Sequence, residues 1–329
     1  MRSFQGFKNK KEMKILCIGE ALIDMICTDT GSSLSEGEHF LKKTGGAPAN
    51  VAAAIAALGG DVLLAAKVGA DPFGQQLISV MKDFSVSTKW MIKDNDHFTT
   101  FAFVSLMKDG ERDFVFNRGA DGQLSESDIE DIDLEECSII HFGSATAFLP
   151  GALQQAYKRL LKKALERNIF ISFDPNYRQL LFKNNTTTFI ERSWDFMHQC
   201  HFFKVSDEEA MLISGNSSLM DAIEILSEKT QATFAVTLGK EGTLLVHQKN
   251  MIMVESITVQ AIDSTGAGDA FVGAVLYQLS KYSLGSILAL NAEEWKEIIY
   301  NANKAGAHTC EYLGAMEAFN HLSNQVFEK

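Results

Sequence analysis

Cysteine is scarce in this chain, and basic charge is outnumbered. Five cysteines, Cys17, Cys27, Cys137, Cys200 and Cys310, are spread over 329 residues. Their number is odd, their spacings are long, and no C-x-x-C occurs. That argues against a disulfide framework or a zinc ribbon and leaves reduced thiols as the expectation. His198, Cys200 and His201 cluster on one short segment with no second pair elsewhere, which is poor geometry for a tetrahedral metal. Lysine and arginine total 30 against 42 acidic residues, a net charge of -12. A broad nucleic-acid surface needs clustered cations to neutralise phosphates, so no nucleic-acid partner is expected. A small phosphorylated ligand stays open, because a few N–H groups at a helix start can hold one. Long apolar runs are missing too, and nothing approaches the ~20 apolar residues of a membrane helix. Lys8, Lys10, Lys11 and Lys14 precede an apolar stretch and mimic a signal peptide. Glu20 and Asp24 interrupt that stretch, and no small-residue cleavage site follows. The reading is a cytoplasmic chain whose residues 1–12 form a polar, poorly ordered tail.

What is present is an alternation of two periods. Met13–Gly19, Asp61–Val68, Cys137–Gly143, Asn168–Asp174, His201–Val205 and Thr233–Gly239 are short apolar runs that suit strands buried on both faces. Helical patterns separate them. In Ala152–Arg167 the apolar residues Leu153, Ala156, Tyr157, Leu160, Leu161, Ala164 and Leu165 recur at i, i+3, i+4. Asp221–Lys229 and Ala270–Ser280 read as two more helices. Such alternation predicts an α/β fold, doubly wound around a mainly parallel sheet flanked by helices. Two segments, Leu22–Thr44 and Phe98–Asn117, lack helical period. The second has strand-like runs on either side of a Lys108-Asp109-Gly110 turn, a hairpin signal. Extra strands of this kind predict a small inserted β-sheet, built from segments of about 22–44 and 98–120. In such folds ligands gather at the carboxyl ends of the parallel strands.

The most informative segment is Asp263-Ser264-Thr265-Gly266-Ala267-Gly268-Asp269, set between a strand-like run, Met251–Ile262, and a helix. Gly266 and Gly268 let the backbone turn tightly and aim successive N–H groups at one point. The helix dipole adds to that site for an anion or for charge developing on a phosphoryl group. Asp269 beside it is placed to accept a proton from an alcohol, and together these are the requirements of phosphoryl transfer to a hydroxyl. On spacing alone an ordinary helix start, with Asp269 as its N-cap, reads equally well. The loop is not a dinucleotide fingerprint, because Phe271 stands at the third glycine position. No G-x-x-x-x-G-K-[ST] loop and no G-x-S-x-G elbow occurs.

DSTGAGDAFVGA resembles the C-terminal signature of the PfkB (ribokinase-like) carbohydrate kinases. The partner signature stands at Gly45-Gly46-Ala47-Pro48-Ala49-Asn50-Val51-Ala52, followed by GADPFG at Gly69–Gly74. The resemblance runs from about Met13 to Ala318. With GEALIDM, FNRGAD and FDPNYR it looks most like the fructokinase branch. It implies one ribokinase-like kinase domain over 13–329 whose inserted sheet is a lid. It implies transfer of the ATP γ-phosphate to a sugar hydroxymethyl group, O6 of fructose first. 2-Keto-3-deoxygluconate, ribose and a nucleoside are the alternatives, and a non-catalytic sugar- or nucleotide-sensing protein is the rival of another class.

By position, the resemblance makes Asp269 the base and Gly266, Ala267 and Gly268 the anion hole. Asp24, Gly45, Gly46 and Asn50 would meet the sugar, with Arg118 and Arg178 as further candidates. Lys204, Ser206, Thr237, Gly239, Gly242, Gly268 and Asn303 would line the ATP site. Ser206 departs from the family's usual asparagine. Glu209 would orient waters on Mg²⁺. Asp263 and Thr265, with carbonyls of Thr309, Tyr312 and Gly314, would hold a monovalent cation such as K⁺. The lid's outer face would pair two subunits, giving a homodimer.

Overall fold

Six apolar runs become neighbouring strands because each is apolar on both sides and needs cover on both. A computed structural model describes residues 13–107, 112–183 and 185–328. The expected tail, residues 1–12, and the Lys108-Asp109-Gly110 turn lie outside the described residues. The strands are β1 (Lys14–Ile18), β2 (Leu22–Cys27), β3 (Phe40–Gly45), β4 (Val62–Gly69), β5 (Met91–Asp94), β6 (Phe101–Leu106) and β7 (Arg112–Asn117). They continue with β8 (Cys137–Phe142), β9 (Phe170–Phe173), β10 (Phe202–Ser206), β11 (Thr233–Thr237), β12 (Thr243–His247) and β13 (Asn250–Val254). One sheet runs β13-β12-β11-β10-β9-β8-β1-β4-β5. It is parallel from β11 through β5, and β12 and β13 add an antiparallel edge.

The pleat divides the core in two. Ile15 and Cys17 of β1 face one hydrophobic layer, Leu16 and Ile18 the other, and all four are fully buried. The first layer is closed by the helices Ala47–Ala57, Ala267–Leu279 and Ala292–Thr309, the second by Ala152–Glu166 and Thr186–Met197. Helices on both faces of a mainly parallel sheet are the predicted architecture. Burial of each large aliphatic side chain contributes about 1.5–3 kcal/mol, so the central strands dominate the fold's stability.

The two non-helical segments form a second sheet, in the order β3-β2-β6-β7. β2 pairs antiparallel with β3 and parallel with β6, and β6 pairs antiparallel with β7. It grows directly out of β1, since only Gly19, Glu20 and Ala21 separate β1 from β2. One expectation needs correction. Met251–Ile262 is not one strand: β13 stops at Val254, and 255–262 run as irregular chain. Ile262 and Asp263 then dock their amides on the Cys310 carbonyl, at 2.7 and 3.2 Å. The pull of that docking and the edge position of β13 end the ladder early.

Candidate active site

Two helices meet where the glycine-rich segments begin. Seven of the 11 residues of the helix Ala47–Ala57 are alanine, and its Ala54 methyl lies where a Cβ on Gly273 would clash. Small residues on both sides let the backbones approach, and the approach sets Asn50 against Asp269. Asn50 Nδ2 donates to Asp269 Oδ2 at 2.8 Å. The Asn50 carbonyl oxygen is buried without a partner. Asp269 is the third residue of the helix Ala267–Leu279, whose cap is Gly266 in the left-handed region at φ 83°. The alternative in which Asp269 is itself the N-cap is therefore corrected, and its carboxylate is free for another role. Burial raises the Asp269 pKa to about 6, against the lowering pull of Asn50, Arg178 and Lys204.

The amides at this helix start are not all available. Ala267 N donates to Ser264 O at 3.2 Å, which closes the turn. The expected anion hole is thus narrower, since Gly268 and Asp269 N–H carry the first-turn amides that lack an intrahelical acceptor. Lys204 reaches the same place from the middle of β10. Its ammonium lies 3.5 Å from where a Cβ on Gly268 would stand. It pairs with Asp174, at the end of β9, at 3.3 Å. Burial works against its charge, but Asp174, Glu209 and Asp269 together hold its pKa above the ordinary value. Three carboxylates thus face one ammonium around the loop.

Asp24 approaches from the second sheet. A Cβ on Gly45, on the neighbouring strand, would run into the Asp24 carboxylate. Burial raises the Asp24 pKa to about 6, and the Arg178 guanidinium opposes the rise. The same guanidinium bears on Asp269, so both carboxylates lie in its field. Gly46, at φ 103°, caps the helix that carries Asn50.

Other expected residues are brought near but are occupied. Ser206 is a helix cap: its hydroxyl accepts from Glu209 N at 3.1 Å, and Glu209 Oε2 accepts from Ser206 N at 2.8 Å. Glu209 Oε1 accepts from Tyr177 N at 2.7 Å, which ties the FDPNYR turn to this helix. Ser206 thus spends its hydroxyl on its own helix start. Thr237 donates to Val205 O at 3.4 Å, and Gly239 and Gly242 take positive φ in the turn from β11 to β12. Asn303 accepts from Thr243 Oγ1 at 2.6 Å and donates to Val254 O and Glu255 O, so its amide fastens the end of β13. Arg118 is also placed elsewhere than expected. It donates to Asp121 and to the carbonyls of Pro150 and Thr146, which uses its fork of donors.

Asp263 gathers its expected partners. Oδ1 accepts from Thr265 N and Oγ1, and Oδ2 from Gly314 N at 2.9 Å. Burial would raise its pKa, but these bonds and the Lys43 charge hold it below the ordinary value. Thr309 is buried one turn away, with its carbonyl accepting from Tyr312 N at 3.3 Å. The Asp263 carboxylate thus accepts from three protein donors, and the Lys43 ammonium lies beside Gly314. Among the described residues no group of three or more His, Cys, Asp or Glu is set to hold a metal by itself.

Sequence reasoning passed over two residues. Glu20 and Asp174 are carboxylates buried to within a few per cent at the ends of β1 and β9. Each directly follows an apolar run or its closing glycine, the position where such folds place ligands, and that rule was the signal that could have found them.

Residues 12–321 match the profile of the pfkB family carbohydrate kinases. The chain belongs to the pfkB family of carbohydrate kinases. It is a phosphotransferase acting on a sugar hydroxyl. The kinase is 36 % identical over 307 residues to a probable fructokinase-5 of Arabidopsis thaliana, covering 92 % of this chain and 93 % of that one. A fructokinase of Xylella fastidiosa solved with bound ATP has a TM-score of 0.84 and 27 % identity, covering 96 % of this chain and 97 % of that one. A double-mutant fructokinase of Vibrio cholerae O395 holding fructose, ADP and potassium has a TM-score of 0.80 and 27 % identity, covering 98 % and 99 %. Among the described residues no helix is long and apolar enough to cross a membrane.

Proposed function

We propose that this kinase is a cytoplasmic, ATP-dependent fructose kinase that phosphorylates the 6-hydroxymethyl group with Asp269 as the base. The observation that carries the reading is the position of Asp269. It stands at a helix start, hydrogen-bonded by Asn50 and facing the Lys204 ammonium, with a pKa lifted to about 6. A carboxylate with that pKa is ionised at pH 7 yet basic enough to take the hydroxyl proton as the bond to phosphorus forms. Gly268 and Asp269 amides and the Lys204 ammonium would face the charge on the transferred group. Asp24, on the strand that adjoins Gly45, would accept two neighbouring sugar hydroxyls. The second sheet, built from the two inserted segments, would act as the lid that excludes water from the acceptor site.

Three carboxylates around one ammonium leave an excess of negative charge where a triphosphate must bind. A divalent cation arriving with ATP offsets that excess, and Mg²⁺ is the ion of choice because it keeps several waters and needs few protein ligands. Glu209, which keeps lone pairs beyond its two amide bonds, would orient those waters. Asp263 and Thr265, with carbonyls of Thr309, Tyr312 and Gly314, would hold K⁺ behind the loop. A homodimer through the lid fits the side chains exposed there: Ile26, Leu41 and Leu106 share one face by register. A coupled ADP-release assay over fructose, ribose, 2-keto-3-deoxygluconate and adenosine tests the acceptor. Fructose is expected to give the highest kcat/KM; a clear preference for another acceptor overturns the choice of sugar, and no ADP with any favours a sensing protein.

A further inference from the structure

Asp121 is a buried carboxylate that no step of the kinase reading uses. It stands shortly after the end of β7 and is 1 % exposed. Taking a carboxylate out of water is costly unless its oxygens are bonded. Here both are. Oδ1 accepts from Thr100 Oγ1, and Oδ2 accepts from Thr146 Oγ1 at 2.8 Å and from Arg118 Nε at 3.5 Å.

The three partners belong to three parts of the chain. Thr100 is the residue before β6, where the chain enters the outer half of the second sheet, and Arg118 is the residue after β7, where it leaves. Thr146 stands in the loop that follows β8 of the main sheet. The entering and leaving segments are also tied to each other. Thr100 Oγ1 accepts from Gly119 N at 2.9 Å, and Ala120 N donates to Phe98 O at 2.8 Å. They lie so close that a Cβ on Gly119 would strike the Phe98 carbonyl. Arg118 grips the loop after β8 as well, through the carbonyls of Thr146 and Pro150. Asp121 therefore sits where both ends of the β6–β7 pair are fastened to the main body.

A buried polar cluster whose members are all bonded fixes one geometry. That geometry reaches the site through the backbone. Ile23 N donates to the Thr100 carbonyl at 3.0 Å, and Asp24 is the next residue, opposite Ala102 in the parallel pair of β2 and β6. The Asp24 carboxylate accepts no hydrogen bond from any described residue, so the strand that carries it sets its place. We propose that Asp121 is a positioning residue for the sugar: by holding Thr100 against the loop after β8, it sets where β2 presents Asp24. The proposal rests on the fructose-kinase reading for its kinetic test, though not for its structural one.

The test compares wild type with Asp121→Ala, Thr100→Val and Thr100→Ser. Thr100→Val removes the hydroxyl between Gly119 and Asp121 without touching a charge, so it carries the test if Asp121→Ala fails to fold. Each of these two should raise KM for fructose about tenfold, as expected when a buried polar group loses its partner. KM for ATP should stay within about twofold of wild type, because Lys204 and Gly268 lie outside the second sheet. Thr100→Ser keeps the hydroxyl and should stay within about twofold of wild type for both substrates. An unchanged fructose KM in Thr100→Val, an equal rise in KM for ATP, or a rise in Thr100→Ser as large as in Thr100→Val overturns the proposal. Amide hydrogen exchange gives a readout free of substrate. Over Leu22–Cys27 it should be about tenfold faster in Thr100→Val and unchanged in Thr100→Ser, while the outlying helix Leu219–Lys229 stays within about twofold of wild type in both. Unaltered exchange over Leu22–Cys27 in Thr100→Val, or equal acceleration in both segments, overturns the positioning role whatever the substrate is. If wild type turns over no sugar, the fructose reading fails, and exchange alone decides for or against Asp121.

Discussion

At pH 7 an Asp269 carboxyl with a pKa of about 6 is about nine-tenths ionised, and at pH 5 about one-tenth. In the proposed role the ionised form is the base, so kcat/KM should fall on the acid side with a midpoint near 6. A midpoint near 4, the ordinary value for aspartate, would show that the burial argued for this group is absent in solution. The same shift has a stability consequence. Because the folded-state pKa is raised, the protonated form favours folding; that benefit is full below the unfolded value and is lost as pH rises through 6. Above pH 7 the buried charge therefore costs stability, and Asp269→Asn should raise Tm at pH 8 by about 2 °C while leaving it unchanged at pH 4. A variant that is inactive yet more stable cannot owe its inactivity to misfolding. Lys204 offers a paired case. Lys204→Met leaves Asp174 as an uncompensated buried charge and should cost about 3–5 kcal/mol in chemical denaturation. Adding Asp174→Asn should restore most of that stability but not turnover, because the ammonium that faces Gly268 is still missing. Recovery of both together would make Lys204 a structural residue.

The elements were legible where periodicity and burial agree. All six apolar runs are strands within a residue or two of their expected ends, and Ala152–Glu166 differs from its expected helix by one residue. Met251–Ile262 was misread because apolar alternation continues past Val254, where the chain leaves the sheet to dock on Cys310, 48 residues or more away in sequence. The occupied side chains were illegible for the same reason. Arg118 finds carbonyls at 146 and 150, and Asn303 finds a hydroxyl at 243 and carbonyls at 254 and 255. A hydrogen-bonding residue in a sequence cannot show that its donors are used across such separations. Glycines were easier, since a turn or a close approach leaves little choice of residue. Gly45 tests this at the level of the strand pair: Gly45→Ala should push Asp24 off its position and raise KM for fructose about tenfold, with kcat lowered less. Equal loss in both would place Asp24 in the chemical step rather than in sugar binding.

For the whole molecule, a net charge of -12 is no obstacle to a triphosphate, because the cationic group that matters is buried at the loop rather than spread over the surface. On the proposed reading the carboxylates around it call for a divalent cation, so excess EDTA should stop ADP release and Mg²⁺ should restore it. Activity that persists in EDTA would contradict that charge balance. The site joins the two signatures, more than 200 residues apart, where Asn50 donates to Asp269, and the second sheet growing from β1 brings Asp24 into the field of the same Arg178 guanidinium. The claim at its centre is that Asp269 takes the proton. The most direct measurement is fructose-dependent ADP release by wild type and Asp269→Asn side by side, with ATP binding followed by thermal shift in the same samples. The account predicts a loss of about 10³-fold or more in kcat with the ATP-induced shift preserved. A variant that binds ATP and phosphorylates fructose within about tenfold of wild type would contradict it.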